Sequence, residues 1–301
     1  IKPPYQAKPV KPNDLEVAPD FVDIDCLDRF TEQAIKWLER QAAAARNGKP
    51  FMLYLSHTSP HKPVIPLKRF RGQGDSGAYG EFMIETDWHV GRVLDWLDEN
   101  KLADNTIVVF TSDNGPENTW RKRNEKFGHQ SNGIYREGKR SIYEGGHRVP
   151  FLVRWPAKVK AGSRWEQPVC QTDLLATFAE MLGKNLPDNA GEDSVSFYRA
   201  LTGENAPQRL AMIHHGMQGR YAIREGQWKL IMEGGRRAAK RELYDLSADP
   251  GEKNDLIAKH PKVAKRLAKR ITEIIQNGRT TPGQPQPNDT PPWKDLVWMV
   301  D

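Results

Sequence analysis

The sequence has no long apolar run. Mean hydropathy is −0.73, and no stretch approaches the ~20 consecutive apolar residues of a membrane-spanning helix, so no membrane partner is expected. Only two cysteines, Cys26 and Cys170, occur among 301 residues. They form no CxxC pair and no metal-ligand cluster, which excludes a zinc ribbon or a redox dithiol; a single disulfide between them stays open. Recognition-helix, RNA-binding aromatic and zinc-finger patterns are absent, so nucleic acid is not expected as a partner. No secretory signal pattern occurs, and internal repeats are lacking. The chain opens on Ile1, which reads as a mature, processed or excised start.

What is present is enough for one large α/β domain or two smaller ones: 38% of residues are apolar. The formal net charge is +6 and the sequence pI about 9.2. A basic balance without nucleic-acid motifs points to another anionic partner, such as a sulfated or phosphorylated substrate.

Residues 1–25 are Pro-rich and read as an irregular surface excursion. Leu27, Phe30, Ala34, Trp37, Leu38 and Gln41 have helical spacing, which predicts an amphipathic helix over roughly 26–46. "FMLYLS" (51–56) reads as a buried strand, followed by the Pro-rich loop "HTSPHKPVIP". Tyr79, Met83, Thr86, Val90, Val93, Leu94 and Leu97 mark a second helix, "TIVVFTS" a second strand and "PFLVRW" (150–155) a third. "TDLLATFAEML" (172–182) is a further helix closed by Gly183. Strands alternating with helices predict a mostly parallel sheet flanked by helices. Beyond about residue 205 the pattern changes to short strands, "RLAMIHH", "RYAIREG", "QWKLIME" and "RELYDL", separated by Gly-containing turns. These predict a smaller antiparallel sheet. Pro261 then opens a helix with Val263, Leu267, Ile271, Ile274 and Ile275 on one face. A Pro-rich tail follows, with Trp293 and Trp298 as expected anchors. The domain reading is 1–204 for the larger part and 205–301 for a C-terminal subdomain.

Sites in parallel sheets form at the carboxyl ends of strands. Two segments fall there, "HTSPHKP" after 51–56 and "SDNGP" after 106–112, and the long polar segment 115–150 runs between two strands. Asp113 and Asn114 are either ordinary turn punctuation or oxygen donors for a hard cation.

The blocks "PHKP", "NTIVVFTSDNGP", "GKRSIYEGGHRVPFLVRWP" and "ELYDLSADPGEKNDL", in this order, resemble type I sulfatases of the alkaline phosphatase superfamily, in the arylsulfatase and N-acetylgalactosamine-6-sulfatase branch. The resemblance runs from about residue 26 to 275. It implies an alkaline-phosphatase-like α/β fold and hydrolysis of a sulfate ester, on a sulfated small molecule or polysaccharide. It also implies a Ca²⁺ cofactor held in part by Asp113 and Asn114. Lys139 would contact the sulfate, its ammonium offsetting charge that builds on the sulfuryl group and leaving oxygen. His61 would contact the ester and favour departure of the alcohol, since imidazole exchanges protons near neutral pH. His215, at an edge of the smaller sheet, would touch the substrate. Arg148 and Glu144 are read as ion-paired holders of the loop, and Gly145 and Gly146 as a tight backbone passage.

The family's C/S-x-P-x-R motif, source of its formylglycine nucleophile, is not found in these residues, and neither is an Asp-Asp pair. The expectation is therefore a chain that begins partway through a sulfatase, inactive alone, with the missing N-terminal half of the catalytic domain as its partner. Two other readings stand beside it: a non-catalytic binding or scaffold protein, and a phosphoester hydrolase of the same superfamily. The resemblance implies a periplasmic or secreted location.

Overall fold

The structure, a computed structural model, describes residues 20–234, 239–287, 296, 298 and 299. It divides into two compact units. The first runs to Val108 and takes in Arg121–His129 and Trp155–Ala157; the second comprises Val109–Trp120, Gln130–Arg154 and the chain from Lys158 on.

The first unit is built on two long helices, α1 (Cys26–Arg46) and α2 (Ala78–Glu99). Buried residues on α1 recur every three to four positions, at Leu27, Thr31, Ala34, Leu38 and Ala42, which is one face of a 3.6-residue repeat. That face meets Trp96 and Leu97 of α2, with Ala103, Phe51, Leu53 and Val108 packed around them. Trp37 sets its edge against Phe51, ring centroids 5.9 Å apart.

Residues 51–56 do not form the expected strand. Phe51 and Leu53 reach the core, while Met52 and Tyr54 are 72% and 83% exposed. The alternation is that of a strand, but no ladder partner pairs with it among the described residues. Composition writes the pleat; only a neighbour's N–H and C=O groups make the sheet.

In chain order there follow β1 (Val108–Thr111), α3 (Trp120–Phe127), α4 (Glu144–His147), β2 (Phe151–Arg154), α5 (Asp173–Met181) and α6 (Tyr198–Leu201). Then come β3 (Met212–His215), β4 (Tyr221–Glu225), β5 (Trp228–Ile231), β6 (Glu242–Asp245) and α7 (Pro261–Asn277). β1 and β2 make a two-stranded sheet, and β3-β4-β5-β6 a four-stranded one. The larger sheet is antiparallel throughout, with Ile223 opposite Leu230 and Leu230 opposite Leu243. The expected mostly parallel, alkaline-phosphatase-like central sheet is thus corrected. One of its three expected strands is unpaired, and the larger sheet is the antiparallel C-terminal one.

That antiparallel sheet organises the second unit, because both of its faces are covered. Ile223, Leu230 and Leu243 point to one side and pack with Leu267, Ile271 and Ile274 of α7 and with Trp298. Ala222, Ile231 and Tyr244, one position out of phase, point to the other side and seat Ile142 and Tyr143. Period-two alternation therefore places two different partners on one sheet. Pro261 at the first turn and Gly278 in the left-handed conformation (φ 63°) bound α7. Of the two expected tail anchors, Trp298 is buried against Tyr221, centroids 5.3 Å apart; Trp293 lies outside the described residues. Cys26 and Cys170 are both free thiols.

Candidate functional site

β1 delivers the chain to the turn Ser112–Pro116. Gln171 Nε2 donates to Ser112 O at 2.6 Å and Ser112 Oγ to Asn114 O at 3.1 Å. Asn114 donates its side-chain N–H to Gly115 O at 3.0 Å, which commits the nitrogen to the turn and leaves the amide oxygen as the end with donor chemistry for a cation. Asp113 is exposed and Asn114 half-buried. Among the described residues no cluster of three or more His, Cys, Asp or Glu is arranged to hold a metal. Asp113 and Asn114 thus offer a carboxylate and an amide oxygen, the hard donors calcium takes, but supply only part of the six to eight it needs.

A second segment locks onto this turn. Gly115 N–H donates to Gly146 O at 3.0 Å and Lys139 N–H to Pro116 O at 2.8 Å. The approach is so close that glycine is required. A Cβ on Gly115 would lie 1.8 Å from Gly145 O, one on Gly138 2.3 Å from Pro116 O, and one on Gly145 2.2 Å from Glu137 O. These are backbone atoms, which cannot rotate away. The glycines of "DNGP", "EGK" and "YEGG" are therefore one interlocked feature. Lys139 is carried two hydrogen-bonded residues from Asn114 although 25 positions later in the chain.

The loop also meets the β3–β4 hairpin. Met217 N–H donates to Arg140 O at 3.1 Å, and Gly216 abuts Ile142. His215, just before that tip, is exposed and stacks flat on Tyr221, centroids 4.1 Å apart and planes at 10°. Arg140 pairs with Glu117 at 2.7 Å. Asp113, Asn114, Lys139 and His215 thus lie along one connected stretch of the second unit. His61 belongs to the first unit. It is exposed, and its Nδ1 faces Lys62 O at 2.7 Å. A carbonyl only accepts, so Nδ1 carries the proton and Nε2 is the nitrogen left for chemistry.

Behind the loop lies a buried ionic cluster. Lys229 of β5 is fully buried; its Nζ stands 2.9 Å from both Glu144 Oε1 and Glu252 Oε1. It donates a hydrogen bond to Glu144, whereas its approach to Glu252 is off the hydrogen-bond direction. Glu252 Oε2 accepts the Glu144 N–H at 2.6 Å, and Arg136 donates to Glu252 O at 2.9 Å. Arg148 stands 3.5 Å and Arg224 3.7 Å from Glu144 Oε2, so the Arg148–Glu144 ion pair read from the sequence is present. Burial works to raise the Glu144 carboxyl, but the His147 hydrogen bond and the Lys229 charge override it and hold Glu144 well below the usual range. Burial pushes Glu252 up, against the pull of Lys229. Sequence reasoning missed Lys229 and Glu252. Lys229 alternates with Leu230 on a strand buried on both faces, so the pattern carries no sign of an inward lysine.

A sulfatase family model matches residues 5–184, and a model described as N-sulphoglucosamine sulphohydrolase, C-terminal, matches 133–277. The chain belongs to the sulfatase family. It is 35% identical over 268 residues to an N-acetylgalactosamine-6-O-sulfatase of Bacteroides thetaiotaomicron, covering 84% of this chain and 51% of that protein. It is 28% identical over 288 residues to the N-acetylgalactosamine-6-sulfatase of Canis lupus familiaris, covering 86% and 54%. The chain thus spans about half the length of these curated relatives. Among solved structures, one from a study of glycosaminoglycan metabolism by Bacteroides thetaiotaomicron superposes with a TM-score of 0.76 at 34% identity, covering 84% of this chain and 55% of that one.

The match from residue 5 corrects the expectation that the resemblance starts near residue 26, and it removes the ground on which a missing N-terminal half of the catalytic domain was expected as partner. Both rested on recognisable motif blocks. The Pro-rich residues before Asp25 contain none, so their kinship was not visible one residue at a time.

Proposed function

We propose that the protein is a sulfuric ester hydrolase of the arylsulfatase and N-acetylgalactosamine-6-sulfatase type, acting on a sulfated carbohydrate. The observation that carries this reading is the interlock of the 138–146 segment with the 113–116 turn, which ties the Lys139 backbone to the turn that carries Asp113 and Asn114. Its named relatives include 6-sulfatases of N-acetylgalactosamine, which suggests a 6-sulfated amino sugar.

In this reading Asp113 and Asn114 hold part of a calcium ion's shell, and the ion supplies positive charge for the sulfate oxygens. Lys139 places an ammonium against the sulfuryl group, where it offsets negative charge as the S–O bond to the alcohol breaks and sulfur bonds to the attacking oxygen, which in the net hydrolysis comes from water. His61 carries a proton for the departing alkoxide oxygen, transferred from Nε2 once both ring nitrogens are protonated. His215, on its Tyr221 stack, forms a flat rim for the sugar. The same kinship suggests a periplasmic or secreted location, which cell fractionation tests.

The deciding experiment measures sulfate and phosphate release by the calcium-loaded protein from N-acetylgalactosamine 6-sulfate, 4-nitrophenyl sulfate and 4-nitrophenyl phosphate. Sulfate release that Lys139→Ala strongly lowers supports the proposal. Binding of the sulfated sugar without turnover, or preference for the phosphate ester, overturns it.

A further inference from the structure

The proposed reading rests on one lysine held in one place, and the deepest ionic group of the second unit lies directly behind the segment that carries it. Lys229 is fully buried on β5, on the same face as Ile231, the face that seats Ile142 and Tyr143. Its two carboxylate partners belong to different segments. Glu144 opens α4 at the far end of the Lys139 loop; Glu252 sits in the turn after β6, in a left-handed conformation (φ 51°) that non-glycine residues rarely adopt.

Glu252 is the hub. Its carboxylate binds the Glu144 backbone N–H and faces Lys229, while its carbonyl receives Arg136. Arg136 also reaches the Tyr244 hydroxyl at 3.2 Å and lies over the Tyr143 ring. Both ends of the 136–144 loop, with Lys139 between them, are therefore tied to one residue that Lys229 neutralises. Arg148 and Arg224 also stand near Glu144, but Lys229 is the cation within ion-pair distance of both carboxylates, so its loss takes from the buried Glu252 carboxylate the charge it faces, which is strongly disfavoured. Such groups add little net stability compared with apolar packing, and fixing one conformation is a use attested for some of them.

We propose that Lys229 is a positioning residue for Lys139: through Glu144 and Glu252 it fixes both ends of the 136–144 loop and so sets where the Lys139 ammonium stands. This deepens the sulfatase reading and rests on it for its catalytic consequence.

The test uses the full chain and two variants, Lys229→Met and Lys229→Met with Glu252→Gln, the second relieving the unpaired charge in case the first does not fold. Amide exchange is measured across the protein. The expected result for the variant that folds is at least tenfold faster exchange over 136–148 and 113–117, with α7 as protected as before. Uniformly faster exchange, or unchanged exchange in 136–148, overturns the inference. Turnover supplies a readout that loss of stability alone does not move. Lys229→Met should lower kcat at least tenfold, and adding Lys139→Ala should cost less than the product of the two single effects; multiplicative losses overturn the positioning role. If Lys139→Ala alone leaves turnover intact, the sulfatase reading of Lys139 falls, and the exchange result still decides whether Lys229 holds the loop.

Discussion

His147 and His214 stack nearly face to face, with ring centroids 4.0 Å apart and planes at 23°. One comes from α4 and the other from β3, so the pair closes the ionic cluster around Glu144 on its sheet side. Arg148, Arg224 and Lys229 all approach the same carboxylate. Burial depresses both imidazoles, His214 strongly, and the neighbouring cations add to the effect.

The sign of the pH response follows. A base whose folded pKa is depressed is stabilising above its unfolded value, near 6.5, and that contribution is lost as pH falls. Glu144, also depressed, loses its contribution only below about pH 4.5, and Glu252, raised, changes in the opposite sense. Melting temperature should therefore fall as pH drops from about 6.5 towards 4.5. His214→Gln should flatten that slope. A slope unchanged in the variant would contradict the assignment.

The first unit carries an independent acid-sensitive residue. His89 is fully buried on α2, and burial lowers it to about 4 despite the nearby Asp28 carboxylate. Its Nε2 is 3.6 Å from Asp28 and 3.9 Å from Glu85, and Glu85 is pushed up by burial. Stability from neutral His89 should be lost between pH 6.5 and 4, and exchange in α1 and α2 should rise over that window. His89→Gln removes the response if the imidazole is its source.

Gly115→Ala would put a methyl carbon 1.8 Å from a backbone oxygen. Overpacking costs about 1–3 kcal/mol where side chains yield, and here the contact is backbone. Thermal unfolding should show a loss at or above that range, with sulfate release falling alongside. A variant as stable as the parent would mean that the two segments are not interlocked.

Leu267, fully buried between α7 and the sheet, should cost about 2–5 kcal/mol when replaced by alanine. The exposed Leu182→Ala should stay within about 0.5 kcal/mol. Denaturant midpoints distinguish the two.

Asp113→Ala should weaken calcium binding measured by titration calorimetry while leaving the melt of the calcium-free protein within about 0.5 kcal/mol, because the carboxylate is exposed. Equal calcium affinity in parent and variant would remove Asp113 from the proposed metal site.

Local periodicity made α1, α2, β3 to β6 and α7 readable from the sequence, because each buries a continuous face at a fixed period. Residues 51–56 show the limit: Phe51 and Leu53 point inwards as in a strand, yet a ladder needs a neighbour that the segment itself does not encode. At the site, Lys139 and Asp113 were reachable through their motif blocks, whereas the reason for the glycines was not. Gly115 and Gly138 are fixed by backbone contacts across more than twenty residues of sequence, and Gly145 by one across eight. Lys229 was hidden most completely, since a charged residue on a strand ordinarily reads as solvent-facing and its counter-ions are 85 and 23 positions away.

The four-stranded sheet, covered on both faces, constrains how such proteins can exchange parts. A C-terminal sheet grafted from a relative would carry its own α7 with it and keep that side intact. On the other side it would have to bring a cation at position 229 and a carboxylate at 252 to suit the recipient's Glu144. These three residues form an inheritance unit that spans the seam of any such recombination, and chimaeras that split it should fold around α7 yet leave the loop behind Lys139 unanchored.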